Sequence, residues 1–382
     1  MKVLHVIAGL DADGAELMLK RLIVASAREG GHEHAVVSLT TLGPVGAQLR
    51  ACGIDVQAIG MRSPLSIPRA LWRLLRLMRA ARPDIVQTWM YHADLLGGLA
   101  ARAAGCRNVI WGIRSTDVKG GISRSTAMVR RLCAPLSRWV PRAIVCAADA
   151  SRRAHIASGY DGSTMEVIPN GFDLTRLTAT PEQRAQLRQH CGFAHDDVVI
   201  GVVGRFNRDK DHANFVRAVG MLAARPGLRF LMVGRGLDPD NAELSGWVAA
   251  TGQAERFVLL GQRSDVPVCL AAMDVFCLPS RTEGFPNVVG EAMAMGLPCV
   301  VTDVGDAAML VDAHGLVVQK EDPGALARGL DEMLDRAPEV RRALGAAARA
   351  RINAQFSIER ARERYDALYD RLAGPMVEKD KR

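Results

Sequence analysis

The feature that most constrains this chain is a pattern that occurs twice along its 382 residues: short apolar runs alternating with longer stretches of helical spacing. The first series reads Val3–Ala8, a helix near 15–29, His34–Leu39, Val56–Ile59, a helix near 67–81, Ile85–Gln87, a helix near 94–104, Val109–Gly112 and Ile144–Ala147. The second reads Val198–Val203, a helix near 211–224, Arg229–Val233, a helix near 240–252, Val258–Leu260, Val275–Leu278, a helix near 287–295, Cys299–Asp303 and Leu316–Val318. Each series has the βαβ rhythm of a doubly wound parallel sheet. One core rarely extends through such a length, so two domains of roughly 150 to 200 residues are expected.

The break between the series is Thr178–His190, polar and Pro-initiated, which fits an interdomain connection running into a short helix. The expected domains are therefore 1–177 and 178–356, with a cleft opening near the connection. From about Pro323 the chain is helical throughout. Ile358, Ala361, Tyr365, Leu368, Tyr369 and Leu372 fall on one stripe, which marks an amphipathic helix packed on something.

Composition narrows the class. With 49% hydrophobic and 24% charged residues the chain is an ordinary globular protein. The eight cysteines lack paired metal-ligand spacing and several lie in apolar runs, so reduced, buried thiols of a cytoplasmic protein are expected. The start reads as a first buried strand rather than a signal peptide, and no uncharged apolar stretch is long enough to span a membrane. Residues 1–175 carry 22 Lys and Arg against 13 Asp and Glu, whereas 176–382 carry 27 against 28, so the whole basic surplus lies in the first half. Nucleic acid, an anionic membrane or an anionic substrate could each face such a half.

The densest chemistry is Ser280-Arg-Thr-Glu283-Gly284-Phe285-Pro286-Asn287-Val288-Val-Gly-Glu291, directly after the strand ending at Leu278. Gly284 permits unusual backbone angles and Pro286 stands where a helix begins. Backbone N–H groups near Asn287 and Val288 then point outward with the helix dipole behind them, an end suited to a diphosphate. Glu291, one turn in, can accept from vicinal ribose hydroxyls, and Glu283 can contact a hexose or its leaving group. The plain alternative is that both are solvated helix-end charges. A second feature is Gly204-Arg205-Phe-Asn-Arg208-Asp-Lys210, again after a strand, which puts Arg205 and Lys210 at the sheet edge where ligands bind in open α/β folds. Gly234-Arg-Gly236 is a weaker signal that can simply relieve backbone crowding.

These segments, with Ile168-Pro-Asn170-Gly171-Phe172-Asp173 and Val301-Thr-Asp303-Val-Gly305, resemble the hallmark blocks of glycosyltransferase family 4. Gly14-Ala-Glu16 resembles that family's N-terminal glycine loop, although Asp13-Gly14 stands where many members have a glycine pair. Gln87–Asp94 resembles its acceptor-side segment. The resemblance implies an α/β chain of GT-B fold: two facing Rossmann-like domains with a deep interdomain cleft, 1–177 on the acceptor side and 178–356 binding the donor. It also implies that a helix at about 357–382 packs back on the first domain. Carried over by position, it makes Arg205 and Lys210 diphosphate contacts, Glu283 a donor-sugar contact and Glu291 a ribose contact. Gly14, Arg114, Asn170, Gly204, Gly284, Phe285, Pro286, Asn287 and Val288 complete the donor set. Many members place a histidine after the fourth strand of the first domain, where this chain has Trp111-Gly112-Ile113-Arg114-Ser115. Arg114 or His92 takes that role, and the residues leave the choice open.

The resemblance further implies retaining transfer of a hexose from a UDP- or GDP-linked sugar, without cofactor or essential metal, to a glycan or lipid-linked acceptor in bacterial polysaccharide or lipopolysaccharide synthesis. Front-face attack, in which the leaving phosphate takes the acceptor's proton, requires no protein nucleophile. The arginines Arg69, Arg73, Arg76 and Arg79, with a second cluster of Arg124, Arg130, Arg131, Arg138 and Arg142, suggest a peripheral contact with anionic lipid at the inner membrane face; a solvated arginine face is the alternative. A nucleotide-sugar epimerase and a sugar phosphorylase are rival enzymes of similar architecture. A nucleic-acid binder would explain the charge but leave the glutamate block without purpose, so no nucleic-acid partner is expected. A dehydrogenase is disfavoured because no Gly-x-Gly-x-x-Gly follows the first strand.

Overall fold

A computed structural model describes residues 1–11, 14–116 and 123–374. The chain forms two compact units, Met1–Gly171 with Ile358–Arg382, and Phe172–Ser357. Each contains one parallel sheet. In the first unit the strands are β1 (Lys2–Ile7), β2 (Glu33–Ser38), β3 (Asp55–Ala58), β4 (Ile85–Trp89), β5 (Val109–Ile113), β6 (Ala143–Cys146) and β7 (Met165–Val167), in the order β3-β2-β1-β4-β5-β6-β7. In the second they are β8 (Val198–Val203), β9 (Leu228–Val233), β10 (Phe257–Leu259), β11 (Val275–Leu278), β12 (Cys299–Thr302) and β13 (Gly315–Val318), in the order β10-β9-β8-β11-β12-β13. Every named pairing is parallel. Helices cover both faces of the first sheet, so β4, β5 and β6 are buried along their whole length, which is why they read as unbroken apolar runs.

One face of the first sheet packs on the helix Gly14–Arg28 and on the terminal helix Ile358–Ala373, which presents the stripe Ile358, Ala361, Tyr365, Leu368, Tyr369 and Leu372. Those positions recur every three or four residues and therefore share one side of a helix. The other face carries the helices Ile67–Ala81, Tyr91–Ala103 and Arg124–Leu136, through Leu74, Met78, Leu96, Cys133 and their neighbours. The expected boundary at residue 177 falls instead at Gly171. Phe172 already belongs to the second unit: its N–H donates to the Phe356 carbonyl at 2.9 Å, and its buried ring lies 6.1 Å from that of Phe285. The strand β7 and the helices Gly43–Ala51, Arg124–Leu136 and Asp149–Ala157 are additions to the sequence-based reading.

A hydrogen-bonded chain of polar rings crosses the interior of the first unit. Trp89 Nε1 donates to His5 Nδ1 (3.2 Å), so His5 carries its proton on Nε2 and donates to His34 Nδ1 (2.9 Å); His34 Nε2 then donates to Ser26 Oγ (2.9 Å). The tautomer of each imidazole is thus fixed by its neighbour, and both rings are neutral. Burial, and secondarily the charge of His34, holds His5 well below the usual histidine range; burial, and secondarily His32 and the chain's amino terminus, lowers His34 to about 4. His155, bonded to Tyr91 Oη and the Ser151 carbonyl, is also lowered to about 4 by burial.

These shifts set a pH dependence. An unfolded histidine takes up its proton near pH 6.5, whereas the folded His34 does so only near pH 4, so the unfolded state binds more protons throughout that window. The lowered histidines are therefore expected to make stability fall as pH drops from about 6.5 to about 4, His34 alone accounting for up to ~3 kcal/mol, and Asp94, whose carboxyl is raised to about 7, offsets part of that fall. Urea midpoints measured between pH 8 and pH 4 test this, and a His34→Gln variant should show a shallower slope over the same range. A midpoint independent of pH in that window would contradict it.

Candidate active site

In the second unit β8 and β11 are adjacent at the centre of the sheet, and their onward connections leave in opposite directions, β8 toward β9 and β11 toward β12. Such a switch point opens a crevice at the carboxyl ends of the strands. The segment after β8 carries Gly204, Arg205 and Lys210; the segment after β11 carries Glu283 through Val288.

The two segments are joined by charge. Lys210 Nζ lies 2.7 Å from Glu283 Oε1, and Ser280 Oγ donates to the same oxygen at 2.7 Å. The Glu283 side chain is only 10% exposed, so its charge relies on those two donors. Alongside, Arg281 N–H donates to the Asp209 carbonyl at 2.8 Å, and the Arg281 guanidinium pairs with Asp211 at 2.8 Å. Asp211 adopts φ +47°, a left-handed conformation that is costly for a residue with a Cβ and that ends the turn Arg208–Lys210 where the helix His212–Gly220 begins. The chain after β12 closes the third side, since Asp306 N–H donates to the Gly284 carbonyl at 2.9 Å and Thr302 Oγ1 to the Ser280 carbonyl at 2.7 Å.

Arg205 is exposed, and its guanidinium has no partner among the described residues. Its carbonyl accepts from His212 Nε2 at 3.2 Å, and the His212 ring stacks on Phe206 with centroids 6.1 Å apart. Burial lowers His212 to about 4, so it is a neutral donor here. Gly204 is approached by Gly234, where a Cβ would lie 1.9 Å from the Gly204 carbonyl oxygen. The Gly234 signal is thus one of backbone crowding.

The helix Asn287–Ala294 starts behind Pro286 with no side-chain cap, and Val289 and Gly290 N–H both turn back to the Pro286 carbonyl. Its position is set by buried Phe285, whose ring lies 5.9 Å from Phe356, and by Gly290, where a Cβ would sit 2.0 Å from Phe172 Cζ. Glu291 is half-buried one turn further on. The structure therefore gathers Gly204, Arg205, Lys210, Glu283, Gly284, Phe285, Pro286, Asn287, Val288 and Glu291 at one edge of one sheet.

The first unit places the remaining residues separately. Gly14 is exposed at the start of the helix Gly14–Arg28, while Asp13 lies outside the described residues. Arg114, just past β5, is held within the unit: its guanidinium donates to Asn170 Oδ1 (2.6 Å) and to Tyr365 Oη, and stacks over Trp89 at 4.6 Å from the ring centroid. Arg114 and Asn170 are thus brought together. His92 stands in the first turn of Tyr91–Ala103, half-buried, its ring without a hydrogen-bond partner among the described residues, and burial lowers its pKa.

Sequence reasoning passed over the device that holds His92. Met90, between β4 and that helix, has φ 71° and ψ 160°, a strained conformation for a residue other than glycine. Asp94 Oδ1 clamps the turn by accepting from Thr88 Oγ1 (2.5 Å) and Gly112 N–H (3.3 Å), while Oδ2 is buried without a partner. Burial outweighs those bonds and pushes the Asp94 carboxyl up to about 7. His212 and the Arg281–Asp211 pair were also missed, although all three residues stand inside or beside the blocks singled out.

Two Rossmann-like units, with a cation–carboxylate set at the switch point of the second, define a glycosyltransferase of GT-B type. Residues 12–176 match the model described as Glycosyltransferase Family 4, and residues 197–336 that described as Glycosyl transferases group 1. The chain is 31% identical over 336 residues to the lipopolysaccharide core biosynthesis mannosyltransferase LpsB of Rhizobium meliloti, covering 85% of this chain and 90% of that one. It is 26% identical over 273 residues to the UDP-Gal:alpha-D-GlcNAc-diphosphoundecaprenol alpha-1,3-galactosyltransferase of Escherichia coli, 70% of each chain. The fold matches the crystal structure of Anabaena HepE in complex with UDP, with a TM-score of 0.84 and 22% identity over 96% of this chain and 99% of that one. The chain belongs to glycosyltransferase family 4.

Removing either member of the Lys210–Glu283 pair leaves its partner uncompensated, and the carboxylate is the more buried of the two. Lys210→Ala and Glu283→Gln are each expected to destabilise the protein by about 1–3 kcal/mol, and the double variant to lose at least ~1 kcal/mol less than their sum. Urea unfolding of the four proteins measures the coupling; strictly additive losses would show that the pair does not interact.

Proposed function

We propose that this enzyme transfers a hexose from a UDP- or GDP-linked donor, with retention of configuration, to a glycan or lipid-linked acceptor in cell-surface polysaccharide or lipopolysaccharide synthesis. The observation that carries the reading is the Lys210–Glu283 pair at 2.7 Å, with the exposed Arg205, unpartnered among the described residues, at the same carboxyl edge of the second sheet. Lys210 and Arg205 neutralise the diphosphate in the ground state and the departing nucleoside diphosphate in the transition state. Gly204, Gly284, Phe285, Pro286, Asn287 and Val288 shape the phosphate end of the site, with the dipole of Asn287–Ala294 behind it. Glu291 takes the ribose hydroxyls, and Glu283, oriented by Lys210 and Ser280, faces the donor sugar. In the first unit His92 is assigned to the reacting groups, Gly14 to a donor contact, and Arg114 and Asn170 to a supporting role, since they hold each other.

The acceptor hydroxyl attacks the anomeric carbon on the face from which the leaving group departs. The bond from that carbon to the phosphate oxygen breaks, and the acceptor's proton passes to the leaving phosphate. No step is assigned to a metal or a cofactor. Relatives support the reading: HepE was solved with UDP and with UDP-glucose, LpsB is named for lipopolysaccharide core synthesis, and the Escherichia coli enzyme is named for a diphosphoundecaprenol-linked acceptor.

Thermal shift against UDP, GDP, ADP and their sugars tests the donor site. One diphosphate family is expected to stabilise the protein, by about 2.7 kcal/mol at a hundredfold excess over Kd, and Arg205→Ala, Lys210→Ala and Glu291→Ala to weaken that effect. No shift with any nucleotide would sink the reading. Sugar isomerisation without acceptor would favour an epimerase, and dependence on inorganic phosphate a phosphorylase.

The proposal extends to a peripheral site of action at an anionic membrane, on the cytoplasmic side. No described helix is long and apolar enough to cross a bilayer. The helix Tyr91–Ala103 packs between Ile67–Ala81 and Arg124–Leu136, and this layer and its adjoining loops expose Leu65 (93%), Trp72 (57%), Met128 (61%) and Trp139 (76%). Arg69, Arg76, Arg124, Arg131 and Arg138 accompany them, with Arg76 stacked over Trp72 at 5.6 Å. Three arginines of the expected clusters are engaged elsewhere: Arg130 is buried, half-buried Arg73 donates to the Ile59 carbonyl, and Arg142 bonds to Asn108 and the Leu372 carbonyl. Apolar anchors ringed by arginine suit an interfacial contact. Replacing Arg69, Arg76, Arg131 and Arg138 with Ala is expected to reduce sedimentation with anionic vesicles at least tenfold and leave neutral vesicles unaffected; unchanged anionic binding would defeat it.

A further inference from the structure

The second unit contains a cavity of about 580 Å³ at the edge of its sheet opposite Lys210 and Glu283. It is lined by Asp274, the residue before β11, and by Pro298, the residue before β12, so it faces the amino ends of those strands. Its wall combines Met295 and Leu297 with four guanidinium groups, those of Arg184, Arg341, Arg342 and Arg349. Residues 172–357 carry 20 Lys and Arg against 23 Asp and Glu, so this concentration of arginine is not overflow from a generally basic unit.

The counter-charges do not balance the cavity. Asp274 is the one acidic side chain in its lining, and that carboxylate already accepts from Arg184 (2.8 Å), Arg188 (3.0 Å) and Val199 N–H (2.9 Å). Arg184 is fixed further by the carbonyls of Ala271 and Met273. Arg341 is anchored through one nitrogen, Nη1, on the carbonyls of Leu334 (2.9 Å) and Arg336 (2.8 Å), which orients the guanidinium and leaves Nη2 uncommitted. Among the described residues Arg342 pairs only with Glu339, both largely exposed and therefore weakly bound. Arg349 has no partner among the described residues. Three guanidinium groups thus present unfilled donors to one cavity, a geometry that suits the oxygens of a phosphate.

We infer that this cavity is a second ligand site, for a phosphate monoester with an apolar body. Arg341, Arg342 and Arg349 take the phosphate, and Met295 and Leu297 pack against the rest of the molecule. The site is independent of the donor reading, because it shares no residue with the edge that carries Lys210 and Glu283. Bound ligand would link the connection Leu177–Ala179, the start of β11 and the helix Pro338–Gln355.

Calorimetric titration with phenyl phosphate tests it, using the full chain with Lys210→Ala so that the donor site contributes little. Saturable binding is expected, reduced at least tenfold by Arg342→Ala with Arg349→Ala and largely restored by lysine at both positions. These two side chains are exposed, so the unfolding midpoint without ligand should not change. Heat that does not saturate, equal affinity in the double alanine variant, or phenol binding as tightly as phenyl phosphate would overturn the assignment. UDP-induced stabilisation of the chain carrying native Lys210 is measured in parallel: its absence would count against the donor site alone, and its persistence in the double alanine variant would show that the two sites are separate.

Discussion

All the strands of each sheet run in the same direction, and the chemistry of this enzyme depends on that constraint. A parallel sheet puts the carboxyl ends of its strands on one edge, so the segments that follow them must meet there however far apart they lie in sequence. Lys210 and Glu283, 73 residues apart, are joined in this way after β8 and β11. The edge is then tied down by short links: Arg281 to Asp209 and Asp211, Thr302 to Ser280, Asp306 to Gly284. Because each link fixes backbone, the charged side chains are presented with little freedom left to lose, which is the condition for electrostatic stabilisation without reorganisation.

Buried polarity is managed in two ways. In one, burial drives interior groups toward neutrality: His5, His34 and His155 downward and Asp94 upward to about 7 in the first unit, and His212 downward in the second. Neutral rings can then satisfy one another in a directional chain from Trp89 to Ser26, where each proton position dictates the next. In the other, charge is kept and paired, as in Lys210–Glu283, Arg281–Asp211 and the Asp274 carboxylate between Arg184 and Arg188 in the second unit.

The sequence made legible whatever is local or periodic. Sheet strands in buried apolar runs, the six-residue stripe of the terminal helix and the glutamate block after β11 are all patterns within a single stretch of chain. What it concealed are pairings across the fold. Arg114 reads as a loop cation free to meet a substrate, yet Tyr365, 251 residues away, and Trp89 hold it inside the first unit. Arg130 reads as part of a basic surface but is buried. The strand β7 is only three residues long and at the sheet edge, too short for periodicity to register. The boundary at Gly171 rests on one aromatic, Phe172, whose partners Phe285 and Phe356 come much later in the chain.

Charge accounting at the donor edge separates the roles of its two cations. Lys210 is matched by Glu283, and Arg281 by Asp211 and Glu321, so neither adds much net field without a ligand. Arg205 is exposed and has no partner among the described residues, and its backbone is anchored by His212. Under the proposed function it would be, with the likewise exposed Arg208, an uncompensated charge to which an incoming diphosphate responds, while Lys210 could engage phosphate only by sharing or leaving Glu283. Under the proposed function the pair would act as a relay: as a diphosphate drew Lys210, Glu283 would lose a strong partner and become a better acceptor for hydroxyl groups of a sugar next to that phosphate. On this argument the buried salt bridge couples recognition of the two halves of the donor, and its value lies less in stability than in making the sugar contact depend on the phosphate contact.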